Sequence, residues 1–200
     1  MTLPQSALRK RFLTFSQSAL DWLFPPICIG CDAEGQLICP HCLGEVKRVP
    51  YPACKYCGSE VSSGEVCYRC RGKFHPFQAL RTPFYYDGVI ARAIQGLKYE
   101  NKRTLGYELA VLLSERLSRF NHISSIVVPM PLGRKRRKER EYNQAELISK
   151  PLATLLSLEH LPNALVRVRE THSQVGLNRV QRQQNVQGAF LADPKLVEGR

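Results

Sequence analysis

Beyond Cys70 the sequence has no cysteine, and acids are scarce throughout: 17 Asp and Glu stand against 29 Lys and Arg. No stretch approaches the roughly 20 uninterrupted apolar residues of a membrane-spanning helix, so a spanning segment is not expected. A secretion signal is not expected either. The run FLTFSQSALDWLF that follows Arg9-Lys10-Arg11 is broken by Ser16, Gln17, Ser18 and Asp21 where an apolar core belongs. The expected location is cytoplasmic. Wholesale disorder is excluded, because 44% of the residues are apolar and 23% charged. The shortage of acids leaves a net charge of +12, a field that draws phosphates, nucleic acid or acidic membrane.

At 200 residues the chain has room for one ordinary domain and a small module. Three segments are expected. Over residues 1–26 an amphipathic helix presents Leu8, Phe12, Phe15, Ala19, Trp22 and Leu23 on one face and ends at Pro25-Pro26. Docking on the next domain is favoured for it over a membrane-surface role, since the stripe is short. Residues 27–75 hold every cysteine. In residues 76–200 the pattern predicts a strand at Leu80–Tyr86, helices at Gly88–Leu97 and Leu105–Phe120, and a short β-branched strand at Ser125–Val128 closed by Pro129 and Pro131. A basic loop follows at Arg134–Arg140, then a helix from Asn143 with Leu147, Ile148, Leu152, Leu155 and Leu156 as its apolar stripe. Strands at Leu165–Val168 and Ala189–Leu191 flank a polar connection of some helical character. Alternating helix and strand is the pattern of an α/β fold. The sequence stops at Lys195–Arg200, where such a fold would next supply a central strand and helix, so a C-terminally truncated domain is expected.

The eight cysteines form four CxxC pairs: Cys28/Cys31, Cys39/Cys42, Cys54/Cys57 and Cys67/Cys70. Two thiolates two residues apart in a tight turn reach one Zn²⁺ at about 2.3 Å, and two such turns close a tetrahedral site. Four pairs make two sites. With thiols as the only ligands no position is left for water, so structural zinc is expected and catalytic zinc is not. The segment repeats: Pro26-x-Cys28-x-x-Cys31 then Ile38-Cys39 is echoed by Pro52-x-Cys54-x-x-Cys57 then Val66-Cys67. The repeat favours sequential pairing, Cys28/31/39/42 and Cys54/57/67/70. Intervals shorter than the usual ribbon spacing keep an interleaved arrangement open. Disulfides are disfavoured in a chain without a secretion signal, and four pairs exceed what thioredoxin-type redox chemistry uses.

Three stretches together resemble the ComF/GntX family of competence and DNA-utilisation proteins: the double zinc ribbon with its leader Trp22-Leu-Phe-Pro-Pro; Val127-Val-Pro-Met-Pro-Leu132 with Arg136 and Arg140-Glu-Tyr-Asn-Gln144; and Arg169-x-Thr171-x-x-Gln174-x-x-Leu177 with Arg182, Asn185 and Gly188-Ala-Phe190. The resemblance implies a type I phosphoribosyltransferase-like, Rossmann-like parallel sheet, incomplete at its C-terminus and preceded by the double ribbon. It also implies a domain that handles 5-phosphoribosyl 1-pyrophosphate (PRPP) with Mg²⁺. Loops at the C-terminal ends of parallel strands are where α/β sheets take ligands. Pro129 and Pro131 lack N–H groups, so Met130, Leu132 and Gly133 are the expected pyrophosphate contacts, with Arg136 and Arg140 beside them. Glu141 stands where the family usually has Gly. Gln174, Arg179, Arg182 and Asn185 are expected on a flexible loop over the site.

The run Arg134, Lys135, Arg136, Arg137 and Lys138 is a candidate nucleic-acid contact; a solvated basic loop without a ligand is the alternative. The family's acidic PRPP loop is absent from the 200 residues, so no catalytic residue is assigned and the chain is expected to be inactive as a transferase. The resemblance implies single-stranded DNA as partner, PRPP as a possible ligand, and a competence helicase or other DNA-uptake proteins as associates. Two other function classes stay open: an active phosphoribosyltransferase of nucleotide metabolism, and a zinc-ribbon nucleic-acid adaptor without enzymatic activity.

Overall fold

The computed structural model describes residues 24–119 and 124–200. The N-terminal helix expected over residues 1–26, with its stripe from Leu8 to Leu23, lies outside the described residues apart from its last positions, as does Phe120. The chain divides into two compact units, residues 1–45 and 46–200. The division falls between the two cysteine clusters, so the second ribbon belongs to the same unit as the α/β elements.

In the first unit, Cys28 N–H donates to Ala33 O at 2.8 Å, Asp32 N–H to Cys28 O at 2.9 Å, and Gly35 N–H to Pro26 O at 2.8 Å. The knuckle leads to helix α1 (Pro40–Gly44), where Pro at the first turn costs no hydrogen bond and Cys39 caps through its sulfur. The second unit opens with the same bonds 26 positions later: Cys54 N–H to Ser59 O at 2.7 Å, Gly58 N–H to Cys54 O at 2.8 Å, and Val61 N–H to Pro52 O at 3.3 Å. Asp32 and Gly58 both adopt left-handed backbone, φ 61° and 73°. The sequence repeat is thus a repeat of hydrogen bonds.

Backbone bonds tie the second ribbon to the segment that leads into the first long helix. Val49 N–H donates to Pro83 O at 3.0 Å, Tyr85 N–H to Lys47 O at 3.0 Å, and Leu80 N–H to Lys55 O at 2.6 Å. Leu80–Tyr86 is not the expected strand: only an isolated bridge forms, between Arg48 and Phe84. Pro83 has no N–H to return a bond to Val49 O, so the ladder does not continue on that side of the bridge.

Helix α2 (Gly88–Tyr99) starts at Asp87, whose carboxylate caps Gly88 N–H, and it buries Val89, Ile90, Ala93, Gly96 and Leu97, one face at helical spacing. Helix α3 (Leu105–Leu117) buries Leu105, Gly106, Leu109 and Ala110. Strand β1 (Ile126–Val127) is followed by helices α4 (Arg134–Arg140) and α5 (Gln144–Leu155) and by strand β2 (Glu159–His160). β2 returns parallel to β1, with Ile126 opposite Glu159 and Val127 opposite His160. This is a strand–helix–strand crossover. Gly106 permits a close approach of α3 to α5: a Cβ there would lie 2.9 Å from both Cβ and O of Leu147. Pro151 sits inside α5.

Among the described residues the parallel sheet has two strands. Leu161 N–H still reaches Val127 O at 3.0 Å, but Pro162 has no N–H to continue the ladder, and a turn closed by Ala164 N–H to Leu161 O redirects the chain. Strand β3 (Leu165–Arg167) then pairs antiparallel with β4 (Phe190–Ala192), Val166 opposite Leu191, instead of extending a parallel sheet. Between them lies α6 (Arg179–Val186), and α7 (Pro194–Val197) follows β4. No helix among the described residues is long and apolar enough to cross a membrane.

Candidate metal centres and basic helix

The cysteines gather in sequence order. The sulfurs of Cys28, Cys31, Cys39 and Cys42 lie within 4.8 Å of one another, as do those of Cys54, Cys57, Cys67 and Cys70. The interleaved alternative is thereby set aside. A tetrahedral zinc with bonds of about 2.3 Å separates its sulfurs by about 3.8 Å; the Cys31–Cys39 and Cys57–Cys67 sulfurs are 3.6 Å apart. Burial alone would raise the Cys28 thiol. Backbone N–H groups of Cys39, Gly30 and Cys31 aimed at its sulfur bring it down instead to about 6. Cys54 is drawn down to about 6 in the same way, against burial, by the N–H groups of Cys67, Tyr56 and Cys57. Burial and the neighbouring thiols push Cys42 up, and Cys70 up to about 12. Each cluster thus pairs a lowered thiol, Cys28 or Cys54, with a raised one, Cys42 or Cys70, and in the second cluster the Ser59 hydroxyl beside Cys57 lowers that thiol too. Two clusters of four cysteines each fit two structural zinc ions, and zinc bound there would supply cross-linking of the fold.

The loop after β1 is held from α5. Asn143 caps α5 through Ala145 N–H at 3.0 Å, and its amide donates to Met130 O at 3.1 Å. No hydrogen bond among the described residues engages the N–H groups of Met130, Leu132 or Gly133. Glu170 closes this loop. Its carboxylate accepts from Arg134 N–H at 2.6 Å and rests on Gly133, where a Cβ would lie 2.5 Å from its oxygen. Nothing in the sequence singles out Glu170, because its position opposite Gly133 arises only from the return of the chain after β3.

The basic run expected as a loop is helix α4. Arg, Lys and Glu are good helix formers, and the helix ends where Glu141 takes a left-handed conformation, φ 63°. Arg134, Lys135, Arg136, Arg137 and Lys138 are exposed, and their side chains make no hydrogen bond or ion pair among the described residues. Arg140 differs: its guanidinium donates to Gln144 at 3.0 Å and lies 5.2 Å from the centre of the Tyr99 ring. The left-handed backbone at Glu141 explains why glycine suits this position. Glu141→Gly should relieve about 1 kcal/mol of backbone strain and lose only an exposed ion pair to Arg103. A rise of a few degrees in Tm is expected by calorimetry; a fall would mean that the Arg103 pair outweighs the backbone.

Of the four residues expected on a flexible loop, Arg179, Arg182 and Asn185 lie on α6, and Gln174 lies in the turn before it. Asn185 is committed to structure: its amide accepts from His172 N–H at 3.1 Å and donates to His172 O at 3.0 Å. Arg169 ties down the end of α6 through the carbonyls of Asn185 and Gln187.

Residues 19–71 match the double zinc ribbon domain family. The chain is 30% identical over 173 residues to competence protein F of Haemophilus influenzae, a match that covers 82% of this chain and 75% of that protein. It is 27% identical over 159 residues to DNA utilization protein YhgH of Escherichia coli K12, covering 76% and 70%. To competence protein ComFC of Bacillus subtilis it is 22% identical over 151 residues, covering 63% and 62%. No solved structure matches the chain. With both four-cysteine clusters in place and a relative matched across most of its length, the chain belongs to the ComF family.

Proposed function

We propose that this chain serves DNA uptake in competence, as a cytoplasmic zinc-stabilised protein with a phosphoribosyltransferase-like body that binds single-stranded DNA. The names of its relatives support the setting, competence for two of them and DNA utilization for the third. The observation that carries the binding is α4, whose five exposed cations Arg134–Lys138 have no partners within the described residues, on a chain of net charge +12. Cations left without carboxylate partners suit a polyanion. Charge reversal of Arg136, Arg137 and Lys138 together is expected to weaken binding of an oligo(dT) strand and to flatten its salt dependence. Each lost phosphate contact removes about 0.7 from the log–log slope for a single strand, so a loss of about 2 is expected. An unchanged slope would return α4 to the role of a solvated basic helix. Competence partners such as a helicase belong to this proposal.

A second reading, PRPP binding, is favoured by the N–H groups of Met130, Leu132 and Gly133 in the loop after β1. The residues do not fit a pyrophosphate as they stand, because the Glu170 carboxylate rests on Gly133 and Arg134 N–H. Like charges at that distance repel. Calorimetry with PRPP and Mg²⁺ is therefore expected to give no micromolar binding. Micromolar affinity would favour this second reading and show that Glu170 swings away.

A further inference from the structure

The two ribbons share a backbone plan and differ in surface. Residues 27–45 carry Asp32, Glu34 and Glu45, with no Lys or Arg and no Phe, Tyr or Trp. The corresponding stretch of the second copy, residues 53–73, carries Lys55, Arg69, Arg71 and Lys73 against Glu60 and Glu65, together with Tyr56 and Tyr68, and Phe74 follows it. The first copy serves as an internal control. It closes the same turns and gathers the same four thiols without a cation or an aromatic ring, so neither zinc nor the knuckle requires them.

Some of the second ribbon's rings are structural. Tyr56 stacks on His75 with centroids 3.9 Å apart, Phe77 meets both near their edges, and His75 Nε2 lies 3.3 Å from Cys70 O. These three hold segment 74–77 against the metal knuckle. Three others face water, Tyr51 at 76% exposure among them. Tyr68 is 82% exposed and Phe74 90% exposed, and they alternate with the exposed Arg69, Arg71 and Lys73. Arg69 lies 5.6 Å from the centre of the Tyr68 ring, and no acid occurs between Cys67 and Tyr86. Large rings left in water beside cations, where the sister copy has neither, suit a ligand with flat faces and negative charges.

We propose that the outer face of the second ribbon, Tyr68 and Phe74 with Arg69, Arg71 and Lys73, is a stacking platform for single-stranded nucleic acid. It is made of residues other than those of α4, and it rests on the DNA-handling role proposed for the chain. Unpaired bases stack on the two rings while the cations take the flanking phosphates; a duplex keeps its base faces inside and offers only the phosphates. Binding of this kind tolerates any base sequence.

The test uses the full chain, fluorescently labelled oligo(dT) of about 20 nucleotides and a duplex of equal length, long enough to span such a platform. Each stacked base contributes about 5- to 150-fold to affinity, so Tyr68→Ser with Phe74→Ser should weaken oligo(dT) binding at least tenfold. The salt slope and duplex binding should stay as they are. Tyr68→Leu with Phe74→Leu keeps apolar area without the rings and should lose as much. Zinc content of two per chain shows that each variant keeps its fold. Arg69, Arg71 and Lys73 changed together to Ser should instead lower the slope by about 2. Unchanged oligo(dT) affinity in both ring variants overturns the platform and leaves the DNA-handling role standing. Equal losses on strand and duplex overturn stacking as the contact. A wild-type chain that binds no oligo(dT) overturns both.

Discussion

Replacing Cys54 and Cys57 together with serine is expected to unfold the second ribbon and to weaken the whole unit of residues 46–200, whereas the same change at Cys28 and Cys31 should cost the first ribbon alone. Binding of structural zinc to a small finger is worth about 10–16 kcal/mol, comparable with the entire stability of a domain, about 5–15 kcal/mol. A ribbon whose buried residues are mainly cysteines has no other core to fall back on. The difference lies in what each ribbon holds. Bonds from Lys47, Val49 and Lys55 to Tyr85, Pro83 and Leu80 run between the second ribbon and the segment leading into α2, and Arg116 of α3 donates to Val49 O. At about 0.5–1.5 kcal/mol each, the loss of these four bonds removes about 2–6 kcal/mol, or about 4–24 °C in Tm for a unit of this size. Elemental analysis should find two zinc ions in the wild-type chain and one in either variant. Amide exchange mapped along the chain should accelerate in α2 and α3 only for the Cys54/Cys57 variant. One zinc or none in reduced wild-type protein would sink the two-site assignment, and equal exchange in both variants would sink the coupling.

Gly106→Val is expected to destabilise the 46–200 unit by about 3 kcal/mol, at the upper end of overpacking costs. The neighbour that a side chain would strike is the Leu147 backbone as well as its Cβ, both at 2.9 Å, and backbone cannot rotate aside. α3 and α5 would have to separate. That movement carries Asn143, at the head of α5, away from Met130 O, so the loop at residues 129–133 should loosen together with the helices. Calorimetry should show a fall of about 6–12 °C, with faster exchange at Met130 and Leu132. A variant as stable as wild type would mean that α3 and α5 slide past one another freely.

The zinc clusters are legible in the sequence because ligand spacing is a local property: CxxC fixes a turn, and a repeated turn fixes a pairing. Helices α2 and α5 are legible from their apolar periodicity, and α5 also from its start at Asn143. The departures share a cause. β2 leaves no signal because Glu159 and His160 look polar, although strand pairing uses only their backbone. Leu80–Tyr86 has the composition of a strand, but ladder formation depends on the donor that Pro83 lacks. The charged run 134–140 has the polarity of a loop, whereas Arg, Lys and Glu favour helix and only Glu141 interrupts it. Glu170 over Gly133 and Gly106 against Leu147 pair residues 37 and 41 positions apart, and no local pattern marks them.

Pro151 in the middle of α5 also changes what the narrow gap at Gly106 means. A proline cannot donate to the carbonyl four residues earlier, and that carbonyl belongs to Leu147, the group nearest Gly106. The oxygen deprived of its helical donor therefore lies 2.9 Å from the place a Cβ would take at Gly106, where the glycine has only a C–H, a weak donor for such a lone pair. The two residues that helix propensity ranks lowest, on separate helices, compensate for each other: the proline exposes an acceptor, and the glycine brings it a hydrogen where any larger residue would bring a methyl group.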